Sequence, residues 1–386
     1  MRILCRIIGG SHIIKSYSKL TPSARELSVD SFTEKAILIT VIRLQMLAGP
    51  VTGGVPVGTP LFIYTKNYEV IPMSKPFMTY DQQIQKLKDK HLIIPNEMAA
   101  KEMLRLNGYF ALITGYKNLF KNPTTKDYRD GTTFDDIVAL YEFDAQLREL
   151  TLRYLLHVER HIRSSLSYAF CEKYGELQST YLDPQNYDLH PRNNTSQVNK
   201  LIARYLKPLL DKRTEHLYIE HYKRQYQNVP LWVLINALTF GTISKMYQCS
   251  ISSIQASISK EFEGINEGQL RQILQVLTDF RNVCAHNERL FSYRCSRHEI
   301  PNLLLHKKLN IPMQGTQYLY GKRDFFAVLL AFRYLLPDKE FMEYKRLLSR
   351  LIHKAVTNNH QISESELLEL MGFPQNWKKV TAYRKV

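Results

Sequence analysis

The sequence lacks the features that mark several large functional classes. Its five cysteines, at positions 5, 171, 249, 284 and 295, are odd in number, widely scattered and without a CxxC pair. They specify neither a disulfide framework nor a zinc site, and they point to a reducing, cytoplasmic setting. No GxxxxGK[ST] or GxGxxG phosphate loop is present, which argues against an NTPase or a dinucleotide enzyme, and no GxSxG elbow offers a serine nucleophile. The longest apolar run near the start, Ala36 to Ala48, is broken by Arg43 and too short to span a bilayer. It also begins too late, behind Asp30 and Glu34, for a secretory signal, so no membrane partner is expected. His298 and His306 have no neighbouring Cys or acidic cluster at ligand spacing, so neither a metal nor a cofactor is expected. Alternating polar and apolar runs are too short for a substantial sheet.

Acidic residues are also in short supply: 36 Asp and Glu face 52 Lys and Arg, a formal charge of +16. That excess favours a polyanionic partner. The 24 Tyr and 17 Phe interleaved with basic residues offer faces on which unstacked bases can lie, although core packing is the ordinary role of any one ring. A chain of 386 residues has room for two ordinary domains or one large helical body with appendages.

Residues 1–72 hold 6 of the 16 glycines, include the turn-rich stretch Gly49-Pro50-Val51-Thr52-Gly53-Gly54 and show no sustained 3.6-residue period. They are expected to form a poorly ordered extension. From Met73 the pattern changes abruptly, with Tyr80, Ile84, Leu87 and Leu92 at near-helical spacing behind a Thr79/Asp81 cap signal. Met73 is therefore the expected natural start, and the preceding segment upstream sequence translated in error. An N-terminal helical module is expected over 73–130, a helical core over 131–320 and a C-terminal helical segment over 321–386.

Within the module, Asn96 to Leu106 reads as a second helix, followed by the aromatic stretch Tyr109 to Phe120, whose expected role is structural. Thr133 to Tyr174 has a sustained helical period free of proline, with Phe134, Ile137, Leu147, Leu155, Leu156, Ile162 and Phe170 on its apolar stripe. Its other faces carry a basic band of Arg148, Arg153, His157, Glu159, Arg160, His161 and Arg163. That band is a solvated face on the plain reading and an RNA contact on the sharper one. Residues 184–200 are expected to be a loop, Leu201 to Leu210 and Glu215 to Tyr226 shorter helices, and the segment from Leu231 a buried helix ending or kinking near Gly241. A further long helix is expected over 266–291, and three more towards the C-terminus. The fold class is mainly α, with long antiparallel helices forming a bundle.

The stretch Asp279 to Phe291, DFRNVCAHNERLF, carries the chemistry. On a helical wheel Ile273, Val276, Leu277, Phe280, Val283, Cys284 and Leu290 fall on one face, while Arg281 and His286 flank the other, about 140° apart with Ala285 between them. One helix brings that pair together poorly. Two such helices facing each other across a two-fold axis would draw two arginines, two asparagines and two histidines into one cleft, a geometric reason to expect a homodimer. The chemistry that fits is cleavage of RNA without a metal. Free imidazole titrates near neutrality, so His286 suits accepting the ribose 2′-hydroxyl proton or protonating the leaving 5′-oxygen. Arg281 suits stabilising charge on the phosphorane, and Asn282, one turn before His286, suits orienting the ring or bonding a phosphate oxygen. Arg289, Arg160 and Arg163 are the candidate RNA-binding residues. Products would end in 2′,3′-cyclic phosphate or 3′-phosphate, and DNA would be inert. As residue types alone, an Arg and a His five apart are common, and a surface pair near a helix C-terminus is the plain alternative. Cys284 reads as a small core residue rather than a nucleophile.

RNVCAH, residues 281–286, is similar to the motif of HEPN ribonucleases: Arg, a polar residue, a short spacer, then His. From about residue 74 the chain resembles the bacterial Abi (abortive infection) proteins of the AbiD/AbiF-like group. The resemblance rests on KPFMTYDQQIQKLKDK, NGYFALITGYKNLF, TTFDDIVALYEFDAQLRELTLRYLLHVERHIRSSL, PLWVLINALTFGTISKMY, DFRNVCAHNERLF and MGFPQNWKKV, in that order. Residues 1–72 have no counterpart in it. The resemblance implies an all-helical, HEPN-type bundle and a role in phage defence by destruction of RNA in infected cells. Arg281 and His286 would be its catalytic pair and Asn282 the polar member. Such a toxin needs restraint in healthy cells, so an RNA or protein antitoxin is an expected partner. A non-catalytic RNA-binding or regulatory HEPN protein is the alternative that spacing leaves open.

Overall fold

The computed structural model describes residues 62–64, 70–72, 75–190 and 194–385. The expected start at Met73, the apolar run Ala36 to Ala48 and the expected poor order of residues 1–72 lie outside the described residues. The exceptions are two short strands, β1 (Phe62–Tyr64) and β2 (Val70–Pro72), paired antiparallel with Ile63 opposite Ile71.

Residues Thr79–Val386 form one compact unit, inside which the expected boundaries near 130 and 320 both fall. It begins with α1 (Tyr80–Lys88) and α2 (Glu97–Asn107), packed against each other. The aromatic stretch that follows makes a π-helical turn, Phe110–Thr114, and a 3-10 turn, Lys117–Phe120. Then comes α3 (Phe134–Tyr174), whose 41 residues extend about 60 Å. Its start is fixed by reciprocal bonds between Thr133 and Asp136, with Asp135 and Asp136 in the first turn where the helix dipole favours anions. Gly175, at φ +84, ends it. Ile137, Leu147, Leu155, Ile162, Leu166 and Phe170 are fully buried along it, each contributing about 1.5–3 kcal/mol by leaving water. Leu156, expected on the same stripe, is exposed instead, because it lies about 100° round the helix from Leu155.

Short α4 (Gln178–Leu182) leads to α5 (Asn194–Leu201), a π-helical stretch Ile202–Leu206 and α6 (Lys207–Asp211). Helix therefore begins within residues 184–200, where a loop was expected, because Asn194, Val198 and Leu201 bury a face at helical spacing. After α7 (Leu217–Tyr226), α8 (Leu231–Leu234) runs into a 3-10 turn, Ile235–Ala237, and stops. The break expected near Gly241 falls earlier, at Leu238, which is extended, and the Thr239 hydroxyl accepts the Thr242 N–H to start α9 (Phe240–Cys249).

Next come α10 (Ser252–Ser259), α11 (Glu267–Ala285), α12 (Leu304–Lys308) and a hairpin of β3 (Met313–Gln314) and β4 (Gln317–Tyr318). The chain closes with α13 (Phe325–Leu335), buried along its whole length, α14 (Asp338–Thr357) and α15 (Glu364–Met371). Helices α8, α10, α11 and α14 pack on α3, while α9 and α13 pack on α11. The fold is mainly α, as the sequence predicts. Among the described residues no helix is long and apolar enough to cross a membrane.

Candidate active site

Helix α11 sets out the residues of interest. Asn266 caps it reciprocally with Gln269, and Leu270, Ile273, Leu274, Leu277, Phe280 and Val283 seat it in the core. The helix predicted to run to residue 291 ends at Ala285. His286 is the C-cap, Asn287 adopts the left-handed conformation at φ +56, and the Glu288 N–H returns to the Val283 carbonyl at 3.1 Å. The wheel position expected for Leu290 therefore does not apply, although Leu290 is buried. Asn282, Ala285 and His286 are all exposed at the end of the helix. Neither the His286 ring nor the Asn282 amide bonds any described residue, so both are free for a ligand.

The loop beyond His286 is held by one buried carboxylate. Asp144, fully buried on α3, accepts the Leu290 N–H at 3.0 Å and the Phe291 N–H at 2.7 Å. It also accepts the Tyr116 hydroxyl at 2.7 Å and the Arg148 guanidinium at 2.5 Å. Those bonds take the backbone donors that a continuing helix would use internally, which is the physical reason α11 stops where it does. Arg148 also donates to the Glu288 carbonyl at 3.3 Å, and Arg289 donates to the Gly115 carbonyl. The Tyr116 ring lies against Tyr141 and stacks on Phe291, so the aromatic stretch plays the structural part expected of it. Burial pushes the Asp144 carboxyl above its ordinary range, opposed by the Tyr116 hydroxyl, Arg148 and the two N–H groups.

Arg148 was expected in a basic band on the outer face of α3. It is instead 5% exposed, because its charge is spent on Asp144. Glu159, expected in the same band, is also buried. It accepts Arg163 at 2.7 Å, and its other oxygen lies 3.7 Å from the Arg281 Nε. That oxygen and the Arg281 Nε make no hydrogen bond of their own, so the contact is an ion pair across the packed helices α3 and α11. Arg163 and Arg281 thus share one carboxylate. Arg160 lies elsewhere: it is exposed and lines a cleft with His157 and His161, separate in direction from Glu159. The band resolves into three environments, since His157 pairs with Glu340 and His161 with Glu261.

Sequence reasoning passed over Asp144, Tyr116 and the pairing role of Glu159. A signal for Asp144 was available: it lies seven residues after Ile137 and three before Leu147, on the apolar stripe itself, with Arg148 one turn on to pair with it.

Elsewhere, His298 bonds Asp279 at 2.7 Å, and buried His306 lies between the Leu303 N–H and the Gly321 carbonyl. Among the described residues, no group of three or more His, Cys, Asp and Glu is arranged to hold a metal ion. Burial pushes the Cys284 thiol up to about 12, which keeps it protonated and suits the core role read for it.

Residues 102–292 match the model of a family described as Abi-like protein. The chain carries an Abi-like region. It spans α2 to the loop after His286 and contains Asp144, Arg160, Arg163, Arg281, Asn282, His286 and Arg289. The Abi-like region therefore includes both the exposed end of α11 and the carboxylate that fixes the loop beyond it. Neither a curated protein nor a solved structure matches the chain.

Proposed function

We propose that this is an abortive-infection protein of phage defence whose Abi-like region is a HEPN-type, metal-independent endoribonuclease acting as a homodimer. One observation carries the reading. At the end of α11 an imidazole and an amide stand exposed and unbonded, one turn apart, on the same helix as Arg281, which a buried carboxylate anchors. Within one protomer Arg281 and His286 lie on different faces of that helix, so a phosphodiester meets both where two protomers face each other.

In the reaction, the 2′-oxygen attacks phosphorus and the P–O5′ bond breaks. One imidazole takes the 2′-hydroxyl proton, and an imidazolium protonates the departing 5′-oxygen. Arg281 donates to the non-bridging oxygens as charge builds on the phosphorane, and Asn282 bonds a phosphate oxygen or orients the ring. In the shared cleft Arg281 of one protomer faces His286 of the other, and that single imidazole takes the 2′-hydroxyl proton and, as imidazolium, delivers a proton to the departing 5′-oxygen. Arg163 and Arg289, held by Glu159 and Gly115, extend the positive surface along the strand.

The test is incubation of the purified protein with RNA in EDTA. Cleavage giving 2′,3′-cyclic or 3′-phosphate ends, absent in His286→Ala, supports the enzyme. Tight RNA binding without cleavage supports a non-catalytic RNA-binding protein instead.

A further inference from the structure

We propose a second binding site, independent of the ribonuclease reading, for an organic phosphate monoester of about mononucleotide size. It is a cleft of about 340 Å³ between α3 and the turn joining α13 to α14. That volume falls at the small end of the range for ligand pockets, about 300–1,000 Å³. One wall is His157, Arg160, His161 and Ser164, spaced so that all four share one face of α3; the other is Leu335, Leu336, Pro337 and Glu340. At 100° per residue the first wall is centred about 130° round the helix from Glu159 and Arg163, so the cleft is not a continuation of the Arg281 face.

The donors here are unspent. Arg160 makes no hydrogen bond or ion pair with any described residue, and the Ser164 hydroxyl makes none. His157 gives its Nδ1 to Glu340 Oε2 at 2.7 Å and His161 gives its Nε2 to Glu261 Oε2 at 2.7 Å. The second nitrogen of each ring is left without a partner. Each imidazole is also braced by a ring, His157 by Tyr154 and His161 by Phe262. The guanidinium and the hydroxyl donate to phosphate oxygens, and each anchored imidazole adds its second nitrogen as a donor when the ring is protonated. The two carboxylates offset part of the positive charge, which disfavours a bare anion. A ligand that also lays apolar surface on Pro337, the exposed apolar residue of the second wall, gains what an inorganic ion does not.

Calorimetric titration of the full chain with AMP tests this, with adenosine and inorganic phosphate as controls. The expected result is saturable binding of one AMP per chain, weaker binding of phosphate and none of adenosine. Arg160→Ala should weaken AMP binding about tenfold or more, and Arg160→Lys should recover part of it. His286→Ala should leave it unchanged. Because Arg160 is exposed and unpaired, its variant should melt like wild type, so lost binding reports on the cleft and not on folding. Absence of AMP binding at millimolar concentration would overturn the proposal, as would binding that survives Arg160→Ala but disappears in His286→Ala.

Discussion

Arg281 on α11 reaches across the helix interface to Glu159 on α3, its Nε 3.7 Å from the carboxylate, while Arg163 holds the other oxygen at 2.7 Å. Glu159 therefore fixes the guanidinium without occupying the exposed face, as a positioning residue should. Glu159→Gln removes the charge that both arginines share. RNA cleavage should fall by about tenfold in kcat with KM little changed, and Glu159→Asp should restore part of it. Equal cleavage by wild type and Glu159→Gln would show that the ion pair has no part in orienting Arg281.

Asp144 makes the strongest stability prediction. Asp144→Ala leaves two backbone N–H groups, the Tyr116 hydroxyl and the buried Arg148 charge without their partner. The cost should be about 3–5 kcal/mol, read by urea denaturation. Exchange of the Leu290 and Phe291 amide hydrogens should accelerate as well, since those N–H groups lose their acceptor. An unchanged denaturation midpoint would contradict the role given to this carboxylate.

His306 predicts a pH dependence. Burial lowers its imidazole to about 4, where it accepts the Leu303 N–H and faces the Gly321 carbonyl. The unfolded chain binds the proton more readily, so stability is present near neutral pH and is lost as pH falls from about 6.5 towards 4. The full loss from this group approaches about 3 kcal/mol. Asp324, pushed up to about 6 by burial, works in the opposite sense: its folded form keeps the proton, so its destabilising effect grows as pH rises from about 4 to 6. Comparing wild type with His306→Gln isolates the histidine. The gap between their unfolding free energies should shrink from pH 7 to pH 5, and a constant gap would contradict the assignment.

Expression in a bacterium should be toxic through RNA destruction, and Arg281→Ala or His286→Ala should relieve the toxicity while the protein stays soluble. Growth curves with a soluble-fraction blot decide this. Persistent toxicity in both variants would place the harmful activity elsewhere on the chain.

Much of the fold was legible because helices announce themselves through period and caps. The proline-free apolar stripe from Phe134 to Phe170 gave α3 almost to the residue. The end of α11 was not legible, since nothing local to Asn287 and Glu288 forbids helix. The chain turns there because Asp144, more than 140 positions earlier, captures the Leu290 and Phe291 N–H groups. The basic band failed for a related reason. A wheel shows which residues share a face of α3 but not that Glu340 and Glu261 arrive from elsewhere to pair with His157 and His161. Arg281, Asn282 and His286 could be named from the motif, whereas Glu159 beside Arg281 required the packing of α11 on α3.

The central claim is that Arg281 of one protomer and His286 of the other serve a single cleft, and mixing two inactive variants tests it most directly. Arg281→Ala and His286→Ala are each purified, combined under conditions that exchange subunits, and assayed on RNA in EDTA. Cleavage that is absent in either variant alone and returns in the mixture is the result predicted. A mixture that forms the mixed dimer and leaves RNA intact, or a His286→Ala protein that cleaves as well as wild type, would contradict it.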